Sequence, residues 1–189
     1  MSAALKLKQL NTNRYTYSDY CEWDDDERWE LIDGVPYAMA APTRFHQGIS
    51  GSIYYQIYHF LRGKACEVYY APFDVRLNID KLDNTVVQPD IVVFCDESKM
   101  DDKGGIGAPD MVIEILSPSS ASHDTIRKYM LYMQVGVREY WIVDPATKTV
   151  VVHILEESTY RGRAFSETDK VPVTVLEGCE VNLAEVFGE

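Results

Sequence analysis

The sequence predicts an α/β (or α+β) protein in which a central mixed β-sheet is flanked by helices. Short strand-like apolar runs recur along the chain, and two stretches, near 49–61 and 123–135, carry apolar residues at helical spacing instead. Strands separated by helices in this order indicate a layered fold. The 189 residues suffice for one domain with a substantial core. We assign 1–16 to a loosely ordered N-terminal segment and 17–189 to that single domain.

Local signals define the individual elements. A short helix is predicted from Tyr17, with Ser18 or Asp19 as candidate N-cap. Asp33-Gly34 between two apolar runs is a strong signal for a β-hairpin turn, and glycines end both longer helices. The other predicted strands lie at about 67–70, 75–79, 87–94, 110–116, 140–143, 150–155, 160–165 and 171–175, the last two as a terminal hairpin, with 101–107 as a loop and a final helix at 183–187.

The chain is acidic, with a formal net charge of −12 and an isoelectric point of about 4.7. This disfavours broad, non-specific adhesion to nucleic acid, because that affinity comes from Lys and Arg neutralising phosphates. A local basic groove remains compatible, since charge distribution matters more than the sum. No apolar run approaches the roughly 20 residues that span a bilayer, and 1–13 lacks the apolar centre of a signal peptide. We therefore expect a cytoplasmic protein with no membrane partner.

The four cysteines are widely scattered along the chain, with no C-x-x-C pair and no nearby histidine spacing. This pattern predicts neither a zinc site nor a disulfide framework. Reduced, mostly buried thiols are expected instead. The residues concerned are Cys21, Cys66, Cys95 and Cys179.

Two acids, Asp90 and Glu114, lie within apolar strand-like runs. A carboxylate in such a run is costly to bury unless it meets a cation or a hydrogen-bond donor. Two of them on neighbouring strands predict a pocket for a hard divalent metal, and Mg²⁺ typically uses one or two carboxylates and keeps several waters. The alternative is that each acid caps a strand end or meets a buried arginine.

Lys128 lies on the helix that follows Glu114, nearly opposite a stripe formed by Ile126, Met130 and Met133. A solvated lysine is one interpretation. However, its flanking residues are apolar, and this helix carries apolar residues around almost its whole circumference, which is typical of burial on more than one side. A lysine against a buried surface needs a partner, which a carboxylate cluster would supply. Near a phosphate it could offset developing negative charge.

Two further residues could belong to the same site. Glu30 lies in an otherwise apolar run beside the Asp33-Gly34 turn, and it is either a surface acid of an edge strand or a further metal ligand. His46 precedes the first long helix and is either a capping or packing histidine or a proton carrier. The other histidines show no ligand spacing and are assigned structural roles. Lys103-Gly104-Gly105 lacks the spacing of a phosphate-binding loop.

With these residues in view, the chain resembles the putative restriction endonuclease family of small proteins in the PD-(D/E)xK nuclease superfamily. The most specific similarities are the run Glu114–Ser119 and the run Glu139–Pro145. The other matching segments are Trp29–Gly34, Pro42–His46, Gln88–Asp90, Pro109–Ile113, Asp124–Tyr132 and Gly136–Arg138, so that the resemblance covers roughly residues 17–155.

The resemblance implies a restriction-endonuclease-like core in which Asp90 and Glu114 match the two acids of the superfamily motif. Where that motif places lysine, two residues after Glu114, this chain has Leu116. Lys128 then occupies the corresponding role from the following helix. Glu30 and His46 match other motif positions.

These inferences predict a Mg²⁺-dependent endonuclease that hydrolyses DNA phosphodiester bonds, with Mn²⁺ as a substitute ion. Asp90, Glu114 and the Ile115 carbonyl would hold the metal, Glu30 would bind or support a second metal, and Lys128 would orient water or offset charge. Two alternatives stay open: a catalytically weak or inactive dimeric binding or scaffold protein, and a hydrolase of RNA or another phosphoester. The apolar helix and the aromatic excess also predict a homodimer.

Overall fold

The computed structural model describes residues 14–23, 27–77, 82–117 and 122–188, and only the backbone in 122–124. The predicted loosely ordered N-terminal segment lies outside the described residues as far as residue 13. Within that segment Tyr15 is described, and its N–H donates to the Gly34 carbonyl at 2.9 Å.

The helices are α1 (Tyr17–Cys21), α2 (Arg44–Leu61), α3 (Ser122–Val135) and α4 (Leu183–Phe187). The first eight strands are β1 (Trp29–Ile32), β2 (Val35–Ala38), β3 (Glu67–Tyr70), β4 (Val75–Arg76), β5 (Val86–Val87), β6 (Ile91–Phe94), β7 (Met100–Asp101) and β8 (Gly104–Ile106). The remaining strands are β9 (Met111–Ile115), β10 (Glu139–Asp144), β11 (Thr149–Glu156), β12 (Thr159–Ser166), β13 (Lys170–Pro172) and β14 (Glu180–Asn182).

The strands of the described residues form two six-stranded sheets and a two-stranded ribbon. The first sheet has the order β2-β1-β5-β4-β8-β7 and the second β12-β11-β10-β9-β6-β3, while β13 pairs with β14. Both large sheets are mixed, because β4 and β8 are parallel in the first and β9 and β10 are parallel in the second. The predicted α/β (α+β) class with central mixed sheet and flanking helices is confirmed, with two sheets where one was expected.

The second sheet is covered on both faces, as strand alternation requires. Ile91 and Val93 point towards α2 and residues 171–186, in a cluster that contains Ile53 and Leu183. Val92, Phe94 and Val112 point the other way, towards the first sheet and α3. Glu114, at an even-numbered position of β9, therefore faces α3.

Turn and cap chemistry explains the first elements. Asp33 and Gly34 have φ of 51° and 74°, as a tight hairpin turn requires, and the predicted hairpin is confirmed as β1–β2. The predicted N-caps of α1 are wrong: Thr16 is the N-cap, and its side chain accepts the Asp19 N–H. The Asp19 carboxylate bonds back to the Thr16 N–H at 2.8 Å, which completes a capping box.

The strand predicted at 87–94 is divided between the two sheets. Val86–Val87 pairs in the first sheet and Ile91–Phe94 in the second, so that Gln88-Pro89-Asp90 crosses from one sheet to the other. Pro89 has no N–H to contribute to a ladder, which fits this break. Asp90 therefore lies at the entry of β6 rather than inside a strand.

Three further predictions are wrong. The 101–107 loop contains the hairpin β7–β8, and the predicted pairing of 160–165 with 171–175 is replaced by β11–β12 and β13–β14. The α3 helix is not buried around its circumference, because Ile126 and Met130 are 63% and 52% exposed. The final helix at 183–187 is confirmed.

The cysteine prediction is also wrong, since Cys66 and Cys95 form a disulfide. The pair of Glu67 with Phe94 sets the register of β3 and β6, and Cys66 and Cys95 are the next opposed positions. Cys21 is exposed and Cys179 is buried. Sequence spacing did not reveal this pair because a long connection separates the two strands.

None of the helices in the described ranges has the length and apolar character needed to cross a membrane. A cytoplasmic location stays a prediction.

Candidate active site

Asp90 and Glu114 meet because β6 and β9 are antiparallel neighbours. Their register pairs Ile91 with Ile113, and one step further along it Asp90 lies opposite Glu114. Cross-strand partners project from the same face of a sheet. The two acids therefore lie close enough at the end of this strand pair for Asp90 to act on the Glu114 carboxyl electrostatically, where both α2 and α3 reach the sheet.

A buried lysine bridges two of the predicted acids. Lys128 Nζ lies 2.9 Å from Glu30 Oε1 and 3.0 Å from Glu114 Oε1, and Lys128 is only 6% exposed. One helical turn later, the Tyr132 hydroxyl donates to Glu114 Oε1 at 2.7 Å. The interpretation of Lys128 as a solvated side chain is wrong, because the predicted stripe of Ile126 and Met130 takes the exposed side instead.

Glu30 is buried, so its interpretation as a surface acid is wrong. Its Oε1 accepts the Gln88 N–H at 2.9 Å as well as the Lys128 ammonium. The Gln88 side chain in turn accepts from Arg28 and donates to Asp74 and Tyr20. Glu30 thus anchors Lys128 to Gln88, which lies in the segment that crosses between the two sheets.

His46 and Ile115 hold the other acid. Asp90 Oδ2 accepts the Ile115 N–H at 2.8 Å and lies 3.2 Å from His46 Nε2. His46 is buried in the first turn of α2, where its own N–H donates to the N-cap residue Thr43. All five predicted side chains (Asp90, Glu114, Lys128, Glu30 and His46) therefore belong to one connected network, joined by the Ile115 peptide.

Electrostatics follow from burial of this network. Burial raises the pKa of Glu114 to about 7, with further upward contributions from Asp90 and Glu30, while Lys128 and the Tyr132 hydroxyl act in the opposite direction. The hydrogen bond to Asp90 raises the pKa of His46 above 6.5, against the opposing effect of burial. A carboxyl group whose pKa is raised to about 7, as that of Glu114 is, is typical of functional sites.

The donor set fits a magnesium ion. No residue of the described ranges donates a hydrogen bond to Asp90 Oδ1 or Glu114 Oε2. Neither oxygen is among the fully buried polar atoms that lack a hydrogen-bond partner. Among the described residues no group of three or more His, Cys, Asp or Glu side chains is arranged to hold a metal by itself. Mg²⁺ does not require one, because it combines one or two carboxylates with waters and substrate oxygens.

Two members of the network were missed by sequence reasoning. The sequence pattern indicates Tyr132 only as one of the apolar residues that flank Lys128, although its position four residues after Lys128 puts both on one helix face. Strand alternation predicts that Gln88 shares a face with Asp90 but indicates no partner for it. Its contact with Glu30 depends on the crossing between sheets, for which Pro89 was the available signal.

A fold of mixed sheets, with one acid in a strand, a second acid at the entry of its neighbour and a buried lysine, is that of a restriction-endonuclease-like protein. The model of the Uma2 family, described as "Putative restriction endonuclease", matches residues 16–184, which is most of the chain. The chain therefore belongs to this family.

Two further proteins are similar to this chain. The chain is 31% identical over 116 residues to the uncharacterized protein slr1290 of Synechocystis sp., and the alignment spans 60% of each chain. The crystal structure of a "putative nuclease belonging to DUF820" from Anabaena variabilis matches with a TM-score of 0.74 and 20% identity, and covers 91% of this chain and 97% of that one. That similarity establishes the fold.

Proposed function

We propose that this protein is a Mg²⁺-dependent endonuclease of the PD-(D/E)xK type that hydrolyses DNA phosphodiester bonds, with Mn²⁺ as a substitute. The observation that carries the proposal is the convergence of Asp90, Glu114 and Lys128, which come from the entry of β6, from β9 and from α3. Family membership supports the nuclease class, and the contacts supply the chemistry.

Asp90 and Glu114 would hold the metal through Asp90 Oδ1 and Glu114 Oε2, together with the Ile115 carbonyl. When bound, the ion supplies Lewis acidity and lowers the pKa of a coordinated water. Glu30 as a ligand or support of a second metal stays a prediction. Its contact with Lys128 favours the supporting role.

Lys128 supplies the positive charge that Leu116 cannot supply from the strand. Its ammonium is held by Glu30 and Glu114, so it is oriented before substrate arrives. A preorganised cation in a buried site offsets charge that develops on phosphate oxygens more strongly than one in water. Through its contact with Asp90, His46 orients the carboxylate; proton transfer by His46 is a second role for the same geometry.

The test is cleavage of supercoiled plasmid and of labelled single- and double-stranded DNA by purified protein in Mg²⁺, Mn²⁺ or EDTA. Asp90→Asn should abolish cleavage, whereas Asp102→Asn, a change at an exposed acid outside the network, should not. Circular dichroism and thermal melts establish that both variants fold. Equal cleavage by wild type and Asp90→Asn contradicts the proposal.

Other results would identify the alternatives. RNA or bis(p-nitrophenyl) phosphate as the sole hydrolysed substrate indicates a hydrolase with the same site and another specificity. No hydrolysis of any substrate with either ion indicates a binding or scaffold protein that retains the fold, for which the net charge of −12 is the supporting observation.

We also propose a homodimer that uses the exposed apolar side of α3. Met130 is 52% exposed on a helix whose opposite side packs on the sheet, and apolar patches often mark partner surfaces. Light scattering at micromolar concentration should give twice the chain mass for wild type and the monomer mass for Met130→Glu. A monomeric wild type rejects this proposal.

A further inference from the structure

A groove begins beside the acid network. It has a volume of about 1360 Å³ and lies between the start of α2, the residues that follow β9, the β10–β11 turn and α4. We call it the α2 groove. Its apolar lining includes Phe45, Ile49, Leu116, Ile126, Pro145 and Phe187.

The groove is continuous with the candidate active site. His46 lines it, and His46 Nε2 contacts Asp90. Leu116 and Ser117 also line it and directly follow Ile115, whose N–H holds Asp90. A strand of substrate whose phosphate reaches Asp90 and Glu114 would therefore continue into the groove.

An aromatic ring and a cation stand together at the groove. Phe45 is 67% exposed, and the Arg44 guanidinium lies 4.7 Å from its ring centroid. No acid of the described ranges forms a salt bridge with Arg44. Exposed aromatic rings beside arginine are the means by which proteins stack unpaired bases and hold the adjacent phosphate.

The other charged residues of the groove, apart from His46, have partners within the protein, but Asp144 and Glu185 keep their negative charges. Lys148 pairs with Glu167 at 3.0 Å, Asp144 accepts the Ala146 N–H, and Glu185 accepts from Asn182. A duplex binds through many phosphate contacts on two backbones. A groove with apolar walls and Arg44 as its unpaired cation among the described residues suits a short single strand with its bases inward.

Gly48 supports close approach of a ligand. It lies inside α2 and lines the groove, and nothing lies within 4 Å of the position that a Cβ would take. Glycine in a helix interior destabilises by roughly 0.5–1 kcal/mol relative to alanine, and packing gives no reason for it here. A bound strand that contacts the helix backbone would give one.

We propose that the α2 groove binds unpaired nucleotides of the substrate, with a base stacked on Phe45 and a phosphate on Arg44, and that the protein therefore acts on single-stranded DNA or on frayed ends rather than on intact duplex. The inference rests on the proposed nuclease function and names its substrate class.

Two matched pairs of variants test it by fluorescence anisotropy in EDTA, with a short labelled oligo(dT) and a blunt hairpin duplex as probes. Phe45→Ala is compared with Tyr55→Ala, since Tyr55 is equally exposed on α2 but outside the groove. Gly48→Leu is compared with Gly51→Leu, because both glycines are exposed in α2 with open space around the Cβ position and only Gly48 lines the groove. Both leucine variants should raise the melting temperature.

Wild type should bind oligo(dT) more tightly than duplex. Phe45→Ala and Gly48→Leu should each weaken that binding on the order of tenfold, and the two control variants should not. Equal affinity of wild type for duplex and single strand, no detectable binding, or equal effects of the groove and control variants overturns the inference. A monomer mass produced by Phe45→Ala from a dimeric wild type also overturns it, because a second copy would then occupy the groove.

The cleavage assay keeps this result separate from the proposed function. Cleavage by wild type that Asp90→Asn abolishes, without a preference for single strands, upholds the nuclease and rejects the role of the groove. Selective binding of single strands without cleavage in Mg²⁺ or Mn²⁺ upholds the role of the groove and rejects the nuclease function.

Discussion

Glu114 and Glu139 lie on neighbouring parallel strands, β9 and β10, and burial raises the pKa of both carboxyl groups above 4.5. Their surroundings differ. Glu139 Oε1 accepts from the Trp141 indole at 2.8 Å and Oε2 accepts the Val175 N–H at 2.8 Å. Both Glu139 oxygens are thus satisfied by fixed neutral donors of the protein.

Glu114 concentrates its partners on one oxygen. Lys128 and Tyr132 both bond to Oε1, and Oε2 has no donor among the described residues. Burial of an acid therefore does not by itself indicate function. A carboxylate whose second oxygen has no donor among the described residues, beside a buried cation, differs in chemistry from one whose two oxygens tie Val175 and Trp141 to the strand.

The largest expected effect is on activity at Glu114. Glu114→Gln should lower DNA cleavage more than about 100-fold, since loss of even an outer-shell partner of a metal site costs 10–100-fold. Stability should change less than in Glu139→Gln, because a glutamine oxygen still accepts from Lys128 and Tyr132. Cleavage rates and urea unfolding measure the two effects. A Glu114→Gln protein that cleaves DNA at the wild-type rate would contradict the proposed difference in function between Glu114 and Glu139.

The next effect is on stability at Lys128. Lys128→Met leaves Glu30 and Glu114 buried without their cation, and removal of one partner from a buried pair costs roughly 3–5 kcal/mol. The control is Lys148→Met, because Lys148 and Glu167 form an exposed pair, and such pairs contribute at most about 1 kcal/mol. Urea unfolding of the metal-free proteins should separate them. Equal losses of unfolding free energy in the two variants would show that the contacts of Lys128 with Glu30 and Glu114 contribute no more than an exposed ion pair.

Glu139→Gln should destabilise the fold by about 1–3 kcal/mol, because the amide group then faces one of the two donors and leaves it unsatisfied. The rate of cleavage per folded molecule should stay unchanged. Glu180→Gln, at an exposed acid of β14, is the matched control for unfolding. Loss of cleavage in a fully folded Glu139→Gln protein would contradict a purely structural role.

The smallest effect concerns pH. Since the pKa of folded His46 lies above 6.5, its contribution to stability is complete below pH 6.5 and is lost as pH rises through the folded value. Burial lowers the pKa of His153 below 6.5, so its contribution has the opposite sign and is lost as pH falls through that lowered value.

Urea unfolding in EDTA across this pH range tests both directions of change in stability. All variants retain Glu114, because its own pKa lies at about 7 and contributes to the same pH profile. His46→Asn should reduce the loss of stability above pH 6.5, and His153→Asn should reduce the loss below it. Identical pH profiles of the two variants would contradict the assigned environments.

Local chemistry in the sequence was sufficient for much of the fold and for five side chains of the candidate site, but not for Tyr132 and Gln88. The Asp33-Gly34 turn, the two long helices and the final helix follow from signals within a few residues. Asp90, Glu114 and Lys128 were recognisable because charges in apolar runs are costly without partners. The resemblance to a nuclease family then related them to one another.

Which side chains meet depends on contacts between parts of the chain that are distant in sequence. The register of β6 against β9 sets Asp90 opposite Glu114, that of β3 against β6 joins Cys66 to Cys95, and the crossing at Pro89 brings the Gln88 peptide to Glu30. Pairing between distant strands depends on the packing of the whole sheet. Exposure of Ile126 and burial of Lys128 have the same origin, because the rotation of α3 is set by the surface it covers and not by its own apolar pattern.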